Sequence, residues 1–323
     1  MRYRTLGRTG ITVSDIGHGL WGMSGWSGSQ DEESLQALRR SRDEGVTFYD
    51  TAWAYGDGHS DELLGTLRHE PGGEKLIAAS KVPPKNRKWP ATAEYKLSDV
   101  FPREHVMEHA DKILHALRAD SIDVLQYHVW DDSWAHEAEF RETVKELKQS
   151  GKVKAFGLSL NRWEPENGIQ AIGTGLVDAV QVIYNIFDQA PEDKLFPLCR
   201  ERGVGVIARV PLDEGSLGGK MTRETKFPEN DWRAGYFNPQ NLAETMDRVD
   251  ALKVLLPPGM TLPEMAFRFI LSNEDVATTI PGMRKPEHVM ANVSYSDKGP
   301  LPADLLQKLK AHRWDRKPTS WSA

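Results

Sequence analysis

The stretch Phe48-Tyr49-Asp50-Thr51-Ala52-Trp53-Ala54-Tyr55-Gly56 places a carboxylate and a phenol five residues apart, where an apolar strand runs into a tight polar loop. A phenol is a poor proton donor at neutral pH, because its ordinary pKa is near ~10, and a neighbouring cation favours the phenolate and lowers that value. Lys81, which closes Leu76-Ile77-Ala78-Ala79-Ser80, is a candidate for that cation. His128, which closes Ile122-Asp123-Val124-Leu125-Gln126-Tyr127, is a candidate polar partner. An ammonium at the end of a buried strand is costly without a counter-charge, and Asp50 is positioned to supply one. Taken singly, Asp50 and Lys81 also read as a structural ion pair, Tyr55 as a rim tyrosine and His128 as a satisfied core histidine.

These residues need elements that bring strand ends together. Residues 1–13 read as a hairpin, Tyr3–Leu6 and Ile11–Val13 around a Gly7-Arg8-Thr9-Gly10 turn. Strands follow at 14–20, 46–50, 76–81, 122–127, 153–159, 179–184, 205–209 and 276–280. Helical periodicity occupies 34–44, 60–67, 103–118, 137–150, 164–172, 193–202, 241–255, 262–271 and 286–293. Alternating short apolar strands and helices imply parallel pairing through crossovers, with both sheet faces covered. A closed (β/α)8 barrel spanning 1–323 as one domain is expected, with an open doubly wound sheet as the competing architecture. In a barrel the chemistry sits at the C-terminal strand ends, where Asp50, Tyr55, Lys81 and His128 all fall. Two connections are long, 82–101 and 210–240, and loops of that length on a barrel rim usually carry function.

Composition narrows the partners. With 41 basic and 47 acidic side chains the chain carries −6 and has no long basic run, so no nucleic-acid footprint is expected; no residue is assigned to a metal. Arg39, Arg40 and Arg42 form the densest basic cluster before the C-terminus and should coat a helix face. Cys199, the single cysteine, excludes an intrachain disulfide and reads as a buried structural thiol. The N-terminus has no apolar signal core and no stretch of 18 apolar residues occurs, so a cytoplasmic protein without membrane contact is expected.

In order, Asp-Thr-Ala-x-x-Tyr-Gly, Ser-Lys and Gln-x-His resemble the aldo-keto reductase superfamily, and the resemblance covers nearly the whole chain. It implies a catalytic tetrad of Asp50, Tyr55, Lys81 and His128, in which Tyr55 protonates a carbonyl oxygen as hydride reaches the carbon. Lys81, held by Asp50, would lower the phenol's pKa, and His128 would orient the carbonyl.

Side chains offer no hydride donor, so a nicotinamide cofactor is required. Gly17-His18-Gly19-Leu20-Trp21-Gly22 fails the Gly-x-Gly-x-x-Gly spacing of a Rossmann site. The resemblance implies another site, with Trp21 among its contacts. Gly157-Leu158-Ser159-Leu160-Asn161 is similar to the family's Gly-x-Ser-Asn segment, so Ser159 and Gln181 would hold the carboxamide, and Asn161 would stand in for the position that Leu160 fills. Arg209-Val210-Pro211-Leu212 occupies the place of an aromatic followed by Ser-Pro-Leu, so Arg209 would stack on the nicotinamide through its guanidinium plane. Lys220 matches a pyrophosphate-contacting lysine. The segment from Ile280 to Asn292 resembles the adenosine-phosphate segment, carrying over Gly282, Arg284, His288 and Asn292. Arg284 offers a cation for a 2′-phosphate, which favours NADP(H), with NAD(H) as the alternative.

Ten tryptophans are present, several of them in expected loops or termini: Trp26, Trp53, Trp89, Trp130, Trp134, Trp232, Trp314 and Trp321. Trp53 and Trp130, beside catalytic positions, are the leading pocket candidates. The leading expectation is NADPH-dependent reduction of an aldehyde or ketone, with a small carbonyl or alcohol as substrate. The rivals are an NAD(P)-dependent sugar or polyol dehydrogenase running the reverse reaction, and a cofactor-sensing regulatory subunit like the potassium-channel beta subunits. Oligomeric state is not legible from the sequence.

Overall fold

The computed structural model describes residues 1–24, 28–317 and 319, so Trp26 and Trp321 lie outside the described residues. The described residues form ten strands: β1 (Tyr3–Thr5), β2 (Thr12–Ser14), β3 (His18–Gly19), β4 (Phe48–Asp50), β5 (Ile77–Val82), β6 (Ile122–His128), β7 (Val153–Ser159), β8 (Ala179–Ile183), β9 (Gly205–Arg209) and β10 (Val276–Thr279). β1 and β2 pair antiparallel as the expected hairpin. The other eight form one sheet in the sequential order β3 to β10, every neighbour parallel. Parallel bridges Ile16↔Thr279 and Gly19↔Gly282 curl that sheet into a (β/α)8 barrel. At the seam, Gly17 N–H donates to Thr279 O at 2.7 Å and Gly19 N–H to Pro281 O at 2.9 Å. A Cβ on Gly19 would sit 2.9 Å from Ile280 O, so the closure needs glycine there.

The period of two along each strand sorts the side chains into layers. Phe48, Ala79, Val124, Ala155, Ala179 and Ile207 fill the lower barrel interior, and Leu6 and Val13 of the hairpin close it from below. Two residues further along the same strands, the inward positions are Asp50, Lys81, Gln126, Gly157, Gln181 and Arg209. A polar layer therefore rests on an apolar one, and this sets the site at the C-terminal strand ends. The alternate positions, Tyr49, Ala78, Leu125, Phe156, Val180 and Val206, face outward and join the core beneath the helices.

The helices follow from ordinary amphipathic design. Asp31–Asp43 carries Asp31, Glu32 and Glu33 in its first turn and Arg40 and Arg42 in its last, matching the helix dipole, and it buries Ser34, Ala37, Leu38 and Ser41 on one face. Arg39 and Arg42 bind Glu70 at 2.8 and 3.2 Å, and Arg40 binds Glu44 at 2.6 Å, so the basic cluster coats a helix face. Cys199 is buried and free, and burial pushes its thiol up to about 12, which makes it inert packing. Among the described residues no helix is long and apolar enough to cross a membrane.

Most boundaries shift by a few residues, and larger differences have local causes. The strand expected over 14–20 pairs regularly only at His18–Gly19, because Ser14 completes the hairpin and Asp15 turns aside to accept from the Ser296 hydroxyl at 2.7 Å. The helix expected over 164–172 begins at Ile169, where the Asp132 carboxylate accepts from the N–H groups of Gln170 and Ala171 at 2.7 and 3.0 Å. A further helix, Ala303–Lys310, buries Leu305 and Leu309 against the core.

Candidate active site

Asp50 ends β4, Lys81 lies one residue before the end of β5, and His128 ends β6. Lys81 is wholly buried, and its Nζ donates to Asp50 Oδ1 at 2.6 Å and to Thr51 O at 2.7 Å. Gln181 Nε2 donates to the other carboxylate oxygen at 2.7 Å, and Gln126 Nε2 approaches it at 3.5 Å. A Cβ on Gly157 would come within 3.0 Å of Gln126 Cγ, so the glycine leaves room for that side chain. The ammonium sits 5.2 Å from the centroid of the Tyr55 ring. The Tyr55 and His128 rings meet edge to face at 5.8 Å. Register places His128, Ser159 and Gln181 side by side on three adjacent strands. The four tetrad candidates thus converge on one point.

Electrostatics divide them. Burial lowers Lys81, but Asp50 and Tyr55 raise it further, so it is charged. Burial raises Tyr55, and Lys81 and Arg209 oppose that without reversing it. Lys81 pulls the phenol down as the sequence leads one to expect, but desolvation of the ring outweighs the cation and leaves it raised. Tyr55 is half-buried, with an edge on a cavity. Burial, with Lys81 and Arg209, holds His128 well below its ordinary range and therefore neutral.

A cavity of about 190 Å³ opens above these groups, lined by Tyr55, Trp89, His128, Ser159, Arg162 and Arg209 among others. Trp89 closes one side with its ring edge-on to His128 at 6.0 Å. Trp130 does not reach the cavity. It is fully buried, donates Nε1–H to Asp132 at 3.0 Å and packs on Trp134 and Phe140. Trp53 is also placed elsewhere, edge-on to His109 and against Gly58 beneath the rim. Adjacency in sequence misled here, since Trp53 packs on His109 and Trp130 on Trp134 and Phe140 rather than along the cavity.

The residues expected to hold a dinucleotide fall in two groups along the rim. Ser159, Gln181 and Arg209 line the cavity. Asn161 lines it too, but its amide is committed, donating to Ala91 O at 2.8 Å and to Glu164 at 2.7 Å and accepting from Ala91 N–H at 3.1 Å. It clamps the 82–101 loop rather than standing free for a carboxamide. Pro211 is buried, and Leu212 packs beside Ile16, Phe267 and Leu271. At the far end, burial lowers His288 and the charges of Lys220, Lys285 and Arg284 add to that, which places the cations around it. The stem of Arg284 lies on Gly22, where a Cβ would come 2.7 Å from its Cδ. Asn292 is buried on the helix Pro286–Val293. Trp21 is exposed, edge-on to Trp232 at 5.8 Å. Gly282 has open space over its Cα, and cations gather where the following helix begins. A polar floor at one end and a cationic cradle at the other fit an extended nicotinamide dinucleotide.

A parallel eight-stranded barrel with a Lys–Asp pair beneath a tyrosine, all at the C-terminal strand ends, defines a barrel oxidoreductase. The chain belongs to the aldo/keto reductase family, whose model matches residues 15–313. It is 30% identical over 301 residues to the aldo-keto reductase YhdN of Bacillus subtilis (strain 168), covering 90% of this chain and 87% of that one. It is 28% identical over 308 residues to the NADH-specific methylglyoxal reductase of Escherichia coli (strain K12), covering 91% and 93%. Among solved structures, the holo form of the aldo-keto reductase AKR11C1 from Bacillus halodurans superposes with a TM-score of 0.79 at 25% identity, covering all of both chains.

Proposed function

We propose that this aldo-keto reductase reduces a small aldehyde or ketone to its alcohol with NADPH, using Tyr55 as the proton donor. The observation that carries the reading is the buried Lys81 ammonium, bonded to Asp50 at 2.6 Å and set 5.2 Å from the Tyr55 ring centroid. A raised phenol is fully protonated at neutral pH, so Tyr55 holds the proton ready. The phenolate left behind would face a fixed cation in a water-poor site, where preorganised charge acts strongly. Neutral His128 can donate an N–H to the carbonyl oxygen and hold it toward Tyr55. Asp50 and Gln181 keep Lys81 in place, and Trp89 shields the cavity.

When bound, the dinucleotide supplies the hydride. Ser159 and Gln181 are suited to orient its carboxamide, and Lys220, Arg284 and His288 to bind its phosphates. Arg284 favours the 2′-phosphorylated form. General acid help is worth ~10²–10⁴-fold. A panel of carbonyl compounds with NADPH or NADH, followed at the nicotinamide absorbance band, tests the reading; methylglyoxal belongs in it through the E. coli relative's name. Tyr55→Phe should bind dinucleotide and lose turnover by roughly that factor. Reduction at the parental rate by this variant would refute the assignment.

A further inference from the structure

The charges around the cavity do not balance. Lys81 is neutralised by Asp50, and Arg162 by Glu214 at 2.8 Å. His128 is neutral. Arg209 is the remainder. Its Nη2 donates to Leu160 O at 3.1 Å, its Nε is buried without a partner, and no carboxylate among the described residues pairs with it. Burial and the like charge of Arg162 lower its guanidinium to about 10, which still leaves it cationic at neutral pH. A buried cation without a counter-ion is costly, and that cost is relieved if a ligand brings the missing charge.

We propose that the substrate is a carbonyl compound bearing a carboxylate, with its carbonyl between Tyr55 and His128 and its carboxylate on Arg209. This rests on the carbonyl-reduction reading of the same cavity. A planar carboxylate matches the N–H fork of a guanidinium, a geometry that a lysine would not offer. A guanidinium can also present its face to a ring while its edge holds an anion, so stacking on a nicotinamide is compatible with this role. The same cavity, about 190 Å³, must also receive the nicotinamide that Ser159 and Gln181 would hold, so the room left beside it suits a compact acid.

Binding and turnover test this separately. Calorimetry on the dinucleotide-loaded protein compares oxamate with ethyl oxamate, its neutral ester. The acid should bind roughly ten- to a hundredfold tighter, as expected for hydrogen bonds to a charged group. Arg209→Gln should bring acid and ester to parity, and Arg209→Lys should restore part of the preference. Turnover compares pyruvate with methyl pyruvate and 4-oxobutanoate with its methyl ester, and at least one acid should lead its ester in kcat/KM. Equal binding of oxamate and its ester by the parent, or a preference that survives in Arg209→Gln, overturns the proposal. Esters reduced as well as both acids would also overturn it while leaving carbonyl reduction intact. Oxamate binding through Arg209 with no carbonyl reduced would keep the anion site and refute the reductase reading instead.

Discussion

Gln181 on β8 donates its amide to Asp50 on β4 at 2.7 Å, a contact that spans the barrel interior and fixes the carboxylate from the side opposite Lys81. From the sequence, Gln181 reads as a carboxamide contact. The structure adds a second duty, because the same amide restrains the Asp50–Lys81 pair. A buried hydrogen bond to a charged group contributes about 1.5–3 kcal/mol. Gln181→Leu should therefore lower unfolding free energy by about that amount in urea. Gln181→Glu should cost more, since it sets a second carboxylate beside Asp50. Identical urea midpoints for the parent and Gln181→Leu would show that the contact contributes nothing.

Behind Lys81, on the outward face of β5, Ser80 donates to Asp61 Oδ1 at 2.6 Å while Oδ2 has no partner. Burial raises Asp61 to about 7, against the pull of Ser80 and Lys81. Between its ordinary value of about 3.9 and about 7, the folded protein keeps a proton that the unfolded chain has released, so this group's contribution to stability falls as pH rises across that window. Buried His18, lowered to about 3, has the opposite slope up to its ordinary value near about 6.5, because there the unfolded chain takes a proton the fold refuses. The two mask each other in the parent, but subtraction isolates Asp61. Whatever constant offset Asp61→Asn introduces, its urea stability relative to the parent should improve between about pH 5 and about pH 8. A pH-independent difference would mean that Asp61 titrates normally.

The tetrad was legible because its order follows the strands and its members lie at a strand's C-terminal end or, for Tyr55, in the loop that follows one. The polar layer of Asp50, Lys81, Gln126 and Gln181 came into view only with the fold, as the inward positions two residues beyond apolar ones. What the sequence hid depends on partners far away in the chain. Asp132 caps a helix that starts at residue 169, and Asn161 closes on Ala91. Trp130 looks like a pocket wall until its indole is seen bonded to Asp132 in the core. The pull of Lys81 on Tyr55 can be read from a motif, whereas the desolvation that outweighs it needs the whole fold.

Near the C-terminus, Arg316 inserts between two buried carboxylates, Asp188 after β8 and Asp213 in the 210–240 loop, and also donates to the Tyr236 hydroxyl at 3.1 Å. Asp213 and Glu214 both have left-handed backbone, with φ of 46° and 55°, so these contacts hold a strained turn in place. Removing one partner of a buried ion pair costs about 3–5 kcal/mol, because the remaining charge is left uncompensated. Arg316→Met should destabilise by that order and expose the 210–240 loop to limited proteolysis. Adding Asp188→Asn and Asp213→Asn should recover part of the loss. If the triple variant is no more stable than Arg316→Met, the cost lies in packing against Trp163 and Trp314 rather than in charge.

Arg284 provides the test of cofactor choice. Its stem rests on Gly22, and its charge reaches Asp231, which Arg233 already binds at 2.5 Å. A guanidinium held there can meet a 2′-phosphate, whereas a dinucleotide lacking that phosphate gains nothing from it. Arg284→Ala should weaken NADPH binding by roughly tenfold or more, the size of one charge-assisted contact, and leave NADH nearly unchanged in fluorescence titrations. Gly22→Ala supplies an independent check, because the added methyl would sit 2.7 Å from Arg284 Cδ and push the side chain aside without removing its charge. This variant should lose part of the same discrimination. Equal weakening of both dinucleotides by Arg284→Ala would remove the 2′-phosphate role and leave Arg284 as a general phosphate contact.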